Sequence, residues 1–152
     1  MRPFTFVMLM FLPFIAAAQQ TVVEKDGRFY DSRGDVFTGI YKNYHENGSL
    51  KSEMPISQGL LNGQVKVYFN SGSLNEIRSF ANGEKHGKWE TWNEKGKKLS
   101  EANFVDGKKQ GKWFVWDENG VLRYDMNYEN GEKSGTWIIY DEKGNLVSQK
   151  EY

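Results

Sequence analysis

Hydrophobic and polar positions along this chain recur with a period of 24 residues. In each period an aromatic-rich stretch, such as Lys112-Trp113-Phe114-Val115-Trp116, is followed by a polar run, Asp117-Glu118-Asn119-Gly120. Alternation then takes over: Leu122, Tyr124, Met126 and Tyr128 interleave with Arg123, Asp125 and Asn127. A period of two marks a half-buried strand, and aromatic and β-branched residues favour strands. Each period therefore predicts a β-hairpin, with Glu129-Asn130-Gly131 opening the loop into the next one. Glycine recurs too often to leave an uninterrupted helix.

Fourteen of the sixteen glycines fall on three columns of this repeat. Gly39, Gly63, Gly87, Gly111 and Gly135 form one; Gly48, Gly72, Gly96, Gly120 and Gly144 a second; Gly59, Gly83, Gly107 and Gly131 a third. Two positions after the first glycine stand Tyr41, Val65, Trp89, Trp113 and Trp137, and five after it Tyr44, Tyr68, Trp92, Trp116 and Tyr140. Leucine dominates a further column, and another reads Ile56, Phe80, Phe104, Tyr128 and Tyr152. Self-similarity at a fixed period of this size indicates a repeat architecture. The expected fold is all-β: an elongated antiparallel β-meander of five hairpin units, 39–62, 63–86, 87–110, 111–134 and 135–152, behind a capping segment, 19–38. Gly48, Gly72, Gly96, Gly120 and Gly144 are the structural turn glycines, in three-residue loops that need a left-handed residue. Residues around Arg28–Tyr30 could add one or two strands, giving a sheet about 50 Å wide at roughly 4.8 Å per strand. Such a unit cannot bury its own apolar face, so stability must come from identical columns stacking across neighbours. The pattern leaves open whether the sheet curls and which aromatic columns stay exposed. Pro55 suits an edge or a bulge.

Composition changes this picture little. Acidic and basic residues balance at 20 each, which gives no electrostatic reason to expect nucleic acid or anionic lipid. The absence of cysteine excludes disulfides, thiolate metal sites and a cysteine nucleophile. The N-terminus matters more. Arg2, an apolar run from Phe4 to Ile15 and the small residues Ala16-Ala17-Ala18 predict a signal peptide over residues 1–18. The run is too short to span a membrane comfortably, so the mature chain is expected to be exported, with no transmembrane span.

The pattern Gly-Lys-Trp-x-x-Trp/Tyr-x-x-x-Gly-x-Leu, then Asn-Gly-x-Lys-x-Gly, stands here at Gly87–Gly96, Gly111–Leu122 and Gly135–Leu146. Its linkers are Asn82-Gly83-Glu84-Lys85-His86-Gly87 and Asn130-Gly131-Glu132-Lys133-Ser134-Gly135. It resembles the MORN-repeat variant family in its bacterial 24-residue form, and is similar to members of the YwqK-like antitoxin family. Val65 and Met54-Pro55-Ile56 depart from the pattern. The resemblance implies a hairpin array for binding or scaffolding, without catalytic residues to carry over.

Candidate chemistry is sparse. The candidate binding surface is expected among Trp89, Trp92, Trp113, Trp116, Trp137 and Tyr140, with Lys85, Lys108, Lys109 and Lys112 near one rim. Lys88 and Lys133 are expected to gather there too, making that rim net positive and the opposite rim net negative. His45 and His86 lie in different units and turn types, away from ligand spacing. Asp117, Glu118, Asp141 and Glu142 lack the alternating spacing of calcium loops and read as solvated turn residues. No catalytic residue, metal ligand or cofactor is expected, and the chain reads as non-enzymatic. The partner expected is another protein, with glycan binding or an antitoxin-like role as alternatives.

Overall fold

The computed structural model describes residues 21–152; the expected signal peptide lies outside them. Ten long strands pair as five hairpins. These are Gly39–Tyr44 with Leu50–Ser57, Gly63–Tyr68 with Leu74–Ala81, and Glu84–Trp92 with Lys98–Val105. Gly111–Trp116 with Leu122–Glu129 and Thr136–Tyr140 with Leu146–Glu151 complete the set. Sequence neighbours are spatial neighbours throughout. With the two-residue extensions Leu60–Leu61, Lys108–Lys109 and Glu132–Lys133, they build one open 13-stranded antiparallel meander. It does not close: Gly39–Tyr44 and Leu146–Glu151 are its ends.

Two kinds of turn alternate along it, each set by its residues. Within a unit, Gly120 has φ 88° and donates its N–H to the Asp117 carbonyl at 2.9 Å, while the Asp117 N–H reaches the Val121 carbonyl at 3.0 Å. A bulge before Trp116 brings that residue opposite Leu122. Between units, Asn82-Gly83, Asp106-Gly107 and Asn130-Gly131 hold positive φ at both residues, the type I′ geometry that matches strand twist. Each of these glycines donates to a carbonyl 22 residues earlier: Gly83 to Leu61, Gly107 to Lys85 and Gly131 to Lys109, at 2.8–2.9 Å. Successive units are thereby tied along one rim.

The pairing between units is interrupted midway. Ser52 and Glu53 pair with Val67 and Lys66, then the ladder resumes with Ile56 against Leu61. Between these points Met54 and Pro55 oppose a longer stretch, Asn62 to Val65. Pro55, with no N–H to give, sits in this bulge rather than on an edge strand, and its carbonyl accepts from Asn62 at 2.9 Å. Gly63 turns the chain there at φ 114°, and a Cβ on it would lie 3.1 Å from the Pro55 ring.

The N-terminal segment does not lengthen the array, contrary to expectation. Val22–Lys25 and Arg28–Asp31 form a separate two-stranded sheet, and a bridge between Tyr30 and Val36 folds the rest of the capping segment against it. The Phe29 N–H donates to the Gly59 carbonyl and the Phe37 N–H to the Phe29 carbonyl, at 2.9 and 3.0 Å. This turns Val22, Phe29 and Phe37 onto Ile56, forming a buried cluster flanked by Tyr41, Met54 and Leu61. The cluster is the nearest thing to a conventional core, and it lies at one end.

Candidate functional site

Alternate residues of a strand point to opposite faces and directly paired residues share a face, so the register sorts every column. One face carries the tryptophans two positions after glycine. There Phe80, Trp89, Phe104, Trp113, Tyr128, Trp137 and Tyr152 form an unbroken row. Successive ring centroids are 5.0–5.4 Å apart with planes inclined by 53–64°. That inclination sets ring edges against ring faces, as the aromatic quadrupole favours. Each indole also lies across the inter-unit bulge. Nε1 of Trp89, Trp113 and Trp137 donates to the carbonyls of Ser79, Asn103 and Asn127 at 2.8–3.1 Å.

A lysine sits over every tryptophan of this row. The Lys85 ammonium is 4.6 Å from the Trp89 centroid and 5.1 Å from Phe104. Lys109 is 4.7 Å from Trp113 and 4.5 Å from Tyr128, and Lys133 is 4.3 Å from Trp137 and 4.7 Å from Tyr152. Lys133 also donates to the Tyr152 hydroxyl at 3.3 Å, which lowers that phenol's pKa. None of the three lysines forms an ion pair with a carboxylate among the described residues.

The opposite face carries Trp92, Trp116 and Tyr140. Among the described residues four of its lysines are ion-paired, while Lys66, opposite Glu53 and Ile77, is not. Lys42 meets Glu53 at 3.0 Å, Lys88 meets Glu101 at 2.9 Å, and Lys112 meets Asp125 at 2.7 Å. Lys98 bridges Glu90 and Glu101 at 2.5 and 2.8 Å. Hydrogen bonds from Lys98 and Lys88 hold the Glu101 carboxyl below its ordinary pKa, outweighing burial. Lys42, followed by Tyr68, does the same for Glu53. Burial pulls the Lys98 pKa down, but its bonds to Glu101 and Glu90 carry it above the usual lysine value.

The sequence-predicted surface is thus divided. Trp89, Trp113, Trp137, Lys85 and Lys109 share the ladder face; Trp92, Trp116, Tyr140 and Lys112 share the other; Lys108 is exposed at the rim. The six lysines expected near one rim are divided between the faces for the same reason. Lys88 and Lys112 fall one position out of phase with Lys85, Lys109 and Lys133 and turn to the opposite face. All six predicted aromatics are half-buried. The outward faces of Trp89, Trp113 and Trp137 are covered by ammonium groups. Trp92 borders an open depression with Phe69, Asn75, Asn93 and Leu99.

The turn carboxylates do more than meet solvent. Asp117 Oδ1 accepts the N–H groups of Asn119 and Val121 at 2.9 and 3.0 Å, and Asp141 Oδ1 accepts those of Lys143 and Asn145 at 2.8 and 2.9 Å. Bonds from Asn145, first its side chain and then its backbone, lower the Asp141 pKa. His45 Nε2 contacts the Tyr68 carbonyl at 3.0 Å, whereas His86 Nδ1 lies 3.2 Å from Asp106. Among the described residues no group of three or more His, Asp or Glu side chains is placed to hold a metal. Nor is any helix long and apolar enough to cross a membrane.

Five consecutive segments, 37–57, 61–82, 85–106, 109–130 and 133–152, match the MORN repeat variant. The chain belongs to this family. Each MORN match begins two residues before a first-column glycine, so it includes the position held by Phe37, Leu61, Lys85, Lys109 and Lys133. MORN repeats are in general protein- and membrane-interaction repeats. No curated protein matches the chain.

Proposed function

We propose that this protein is an exported, non-enzymatic interaction scaffold that holds another protein against its open sheet. The observation that carries the reading is the sheet itself, which leaves both broad faces accessible and buries no large side chain completely among the described residues. Catalysis favours a pocket where several polar groups converge, and a single layer of stacked hairpins lacks the second layer that would wall one in. A row of identical units is better suited to multivalent binding, in which each unit offers one modest contact and several engaged together give avidity. Export rests on Arg2, the apolar run Phe4–Ile15 and Ala16–Ala18.

The test is affinity capture from cell-envelope extract with the mature chain from Gln19, repeated with a chain lacking residues 111–152. A protein recovered saturably by the first and lost with the second is expected. Recovery of polysaccharide without protein would overturn the reading. Export is checked by fractionation and intact mass. Full-length chain retained in the cytoplasm would remove that part of the proposal.

A further inference from the structure

The two faces treat their lysines differently, and the difference follows the repeat. On the ion-paired face, Lys42, Lys88, Lys98 and Lys112 each meet a carboxylate. On the ladder face, Lys85, Lys109 and Lys133 are held by ring contacts instead and keep their charge uncompensated. Strand positions on that face of units three to five carry Trp89, Thr91, Ser100, Ala102 and Phe104, then Trp113, Val115, Tyr124, Met126 and Tyr128, then Trp137, Ile139, Ser148 and Lys150. No carboxylate is among them. The acidic side chain that does occupy the face, Glu76 in unit two, is already bound to Arg78 at 2.5 Å. In the two earlier units the lysine position is Phe37 and Leu61, both packed into the N-terminal cluster. A cationic stripe thus begins at Lys85 and runs along the row of rings toward Lys150, whose ammonium lies 4.7 Å from the Tyr152 centroid.

We propose that Lys85, Lys109 and Lys133 bind an extended acidic polypeptide segment that crosses the strands along the aromatic row in polyproline II conformation, presenting a carboxylate at every third residue. The spacing argues for this ligand. Equivalent positions in adjacent units are two strands apart, about 9.6 Å. Polyproline II advances about 9.3 Å per three-residue turn and keeps every third side chain on one side. A β-strand repeats its facing side chains every 6.8 Å or so. Each strand of a DNA double helix carries a phosphate about every 3.4 Å along the axis, nearly three for each lysine. The lysines are also preorganised, since two ring contacts fix each ammonium before a carboxylate arrives, which lowers the ordering cost of binding.

This inference rests on the scaffold reading and names the chemistry of its partner. Its test uses the mature chain and fluorescent peptides of the repeats Glu-Pro-Pro, Gln-Pro-Pro and Lys-Pro-Pro, twelve residues each, read by polarisation at low and high salt. The Glu-Pro-Pro peptide is expected to bind, more weakly as salt rises, and the others not. A variant carrying K85Q, K109Q and K133Q should lose roughly tenfold or more in affinity, in line with three exposed ion pairs. A control carrying K51Q, K95Q and K143Q, with the same loss of charge at exposed sites off the ladder face, should bind as the parent does; circular dichroism confirms that both variants fold. Equal binding of the parent and the ladder variant, or equal loss in both variants, overturns the proposal. So does equal binding of a peptide with glutamate at every second residue. Polygalacturonate or phosphatidylglycerol vesicles binding in place of the peptide would also overturn it, reassigning the stripe to a glycan or a lipid surface. A natural partner captured equally by the parent and the ladder variant leaves the scaffold standing and sinks only this assignment.

Discussion

The two ends of the array meet the same burial problem with different chemistry. At the N-terminal end, Phe37 and Leu61 occupy the position that Lys85, Lys109 and Lys133 hold later, and Val65 stands where the others have tyrosine or tryptophan. Aliphatic and phenyl groups there need a cover, and the hairpin Val22–Lys25/Arg28–Asp31 supplies one; Phe29 is 8% exposed and Ile56 3%. At the C-terminal end nothing covers the ladder face among the described residues. Every residue of Leu146–Glu151 is exposed, and rings packed edge to face under lysines replace the core. A single-layer repeat can thus end in a cap, at the cost of a dedicated segment, or in amphipathic rings and long cations that tolerate water on one side. Only the second solution leaves a surface free for a partner.

The largest blow to this contrast should come from Phe29→Ala, which removes a buried ring where the cap meets unit one and is expected to cost about 3–5 kcal/mol. Because repeats couple to neighbours only, amide exchange should accelerate in units one and two and stay slow around Trp137. Uniform loss of protection would show that the two ends are not independent. Trp113→Ala, in the middle of the row, should cost about 3 kcal/mol in urea unfolding, the low end for a half-buried tryptophan. A loss under about 1 kcal/mol would mean that the rings lie side by side without supporting one another. Gly120→Val should cost about 1–3 kcal/mol, because φ is 88° there although a Cβ would meet only open space. The cost would therefore be wholly conformational, and Gly120→Asn should recover most of it.

Smaller effects separate the faces. Lys109→Gln should lose about 0.5–1 kcal/mol, the worth of an exposed cation over rings, and Lys109→Leu should regain it while raising the tendency to aggregate. An unchanged melting profile in both would deny the ring contact any structural weight. On the ion-paired face, Glu101 has a lowered folded pKa. Its contribution is therefore full above the ordinary carboxylate range and is lost as pH falls through the folded value. Glu101→Gln should flatten the acid side of the stability–pH curve by no more than about 1 kcal/mol. A steeper acid loss in that variant would reverse the assignment.

The period, the hairpins and the turn glycines were legible because each depends on local chemistry repeated five times. The split between faces was only half legible. Counting from Gly111 shows that Trp113 and Trp116 differ in parity, but the bulge before Trp116 and the longer one around Gly63 shift which residues meet. The division of the rim lysines between the faces was not legible, because a turn's position says nothing about the face its next residue takes. The capping segment was expected over 19–38, but its separate two-stranded sheet was not, because it stands outside the period. Its signals were present: Asp26-Gly27 has the composition of an inter-unit turn, and Asp31 with Gly34 repeats the chemistry of Asp117 with Gly120. There Asp31 Oδ1 accepts the N–H groups of Arg33 and Asp35, and Gly34 donates back to the Asp31 carbonyl. Phe37 and Leu61, two residues before Gly39 and Gly63, were the apolar members of a column that reads as lysine in the three later units.

The bonds from Gly83 to Leu61, Gly107 to Lys85 and Gly131 to Lys109 have a consequence for how such a chain changes length. Because each closes over the same count of residues, a duplication or deletion of one whole 24-residue segment restores every one of them at the new junction. A gain or loss of a single residue instead moves all following side chains to the wrong side of the sheet. Inheritance through copying errors should therefore change this molecule in whole steps, and versions differing in reach by one hairpin are the variants most easily kept.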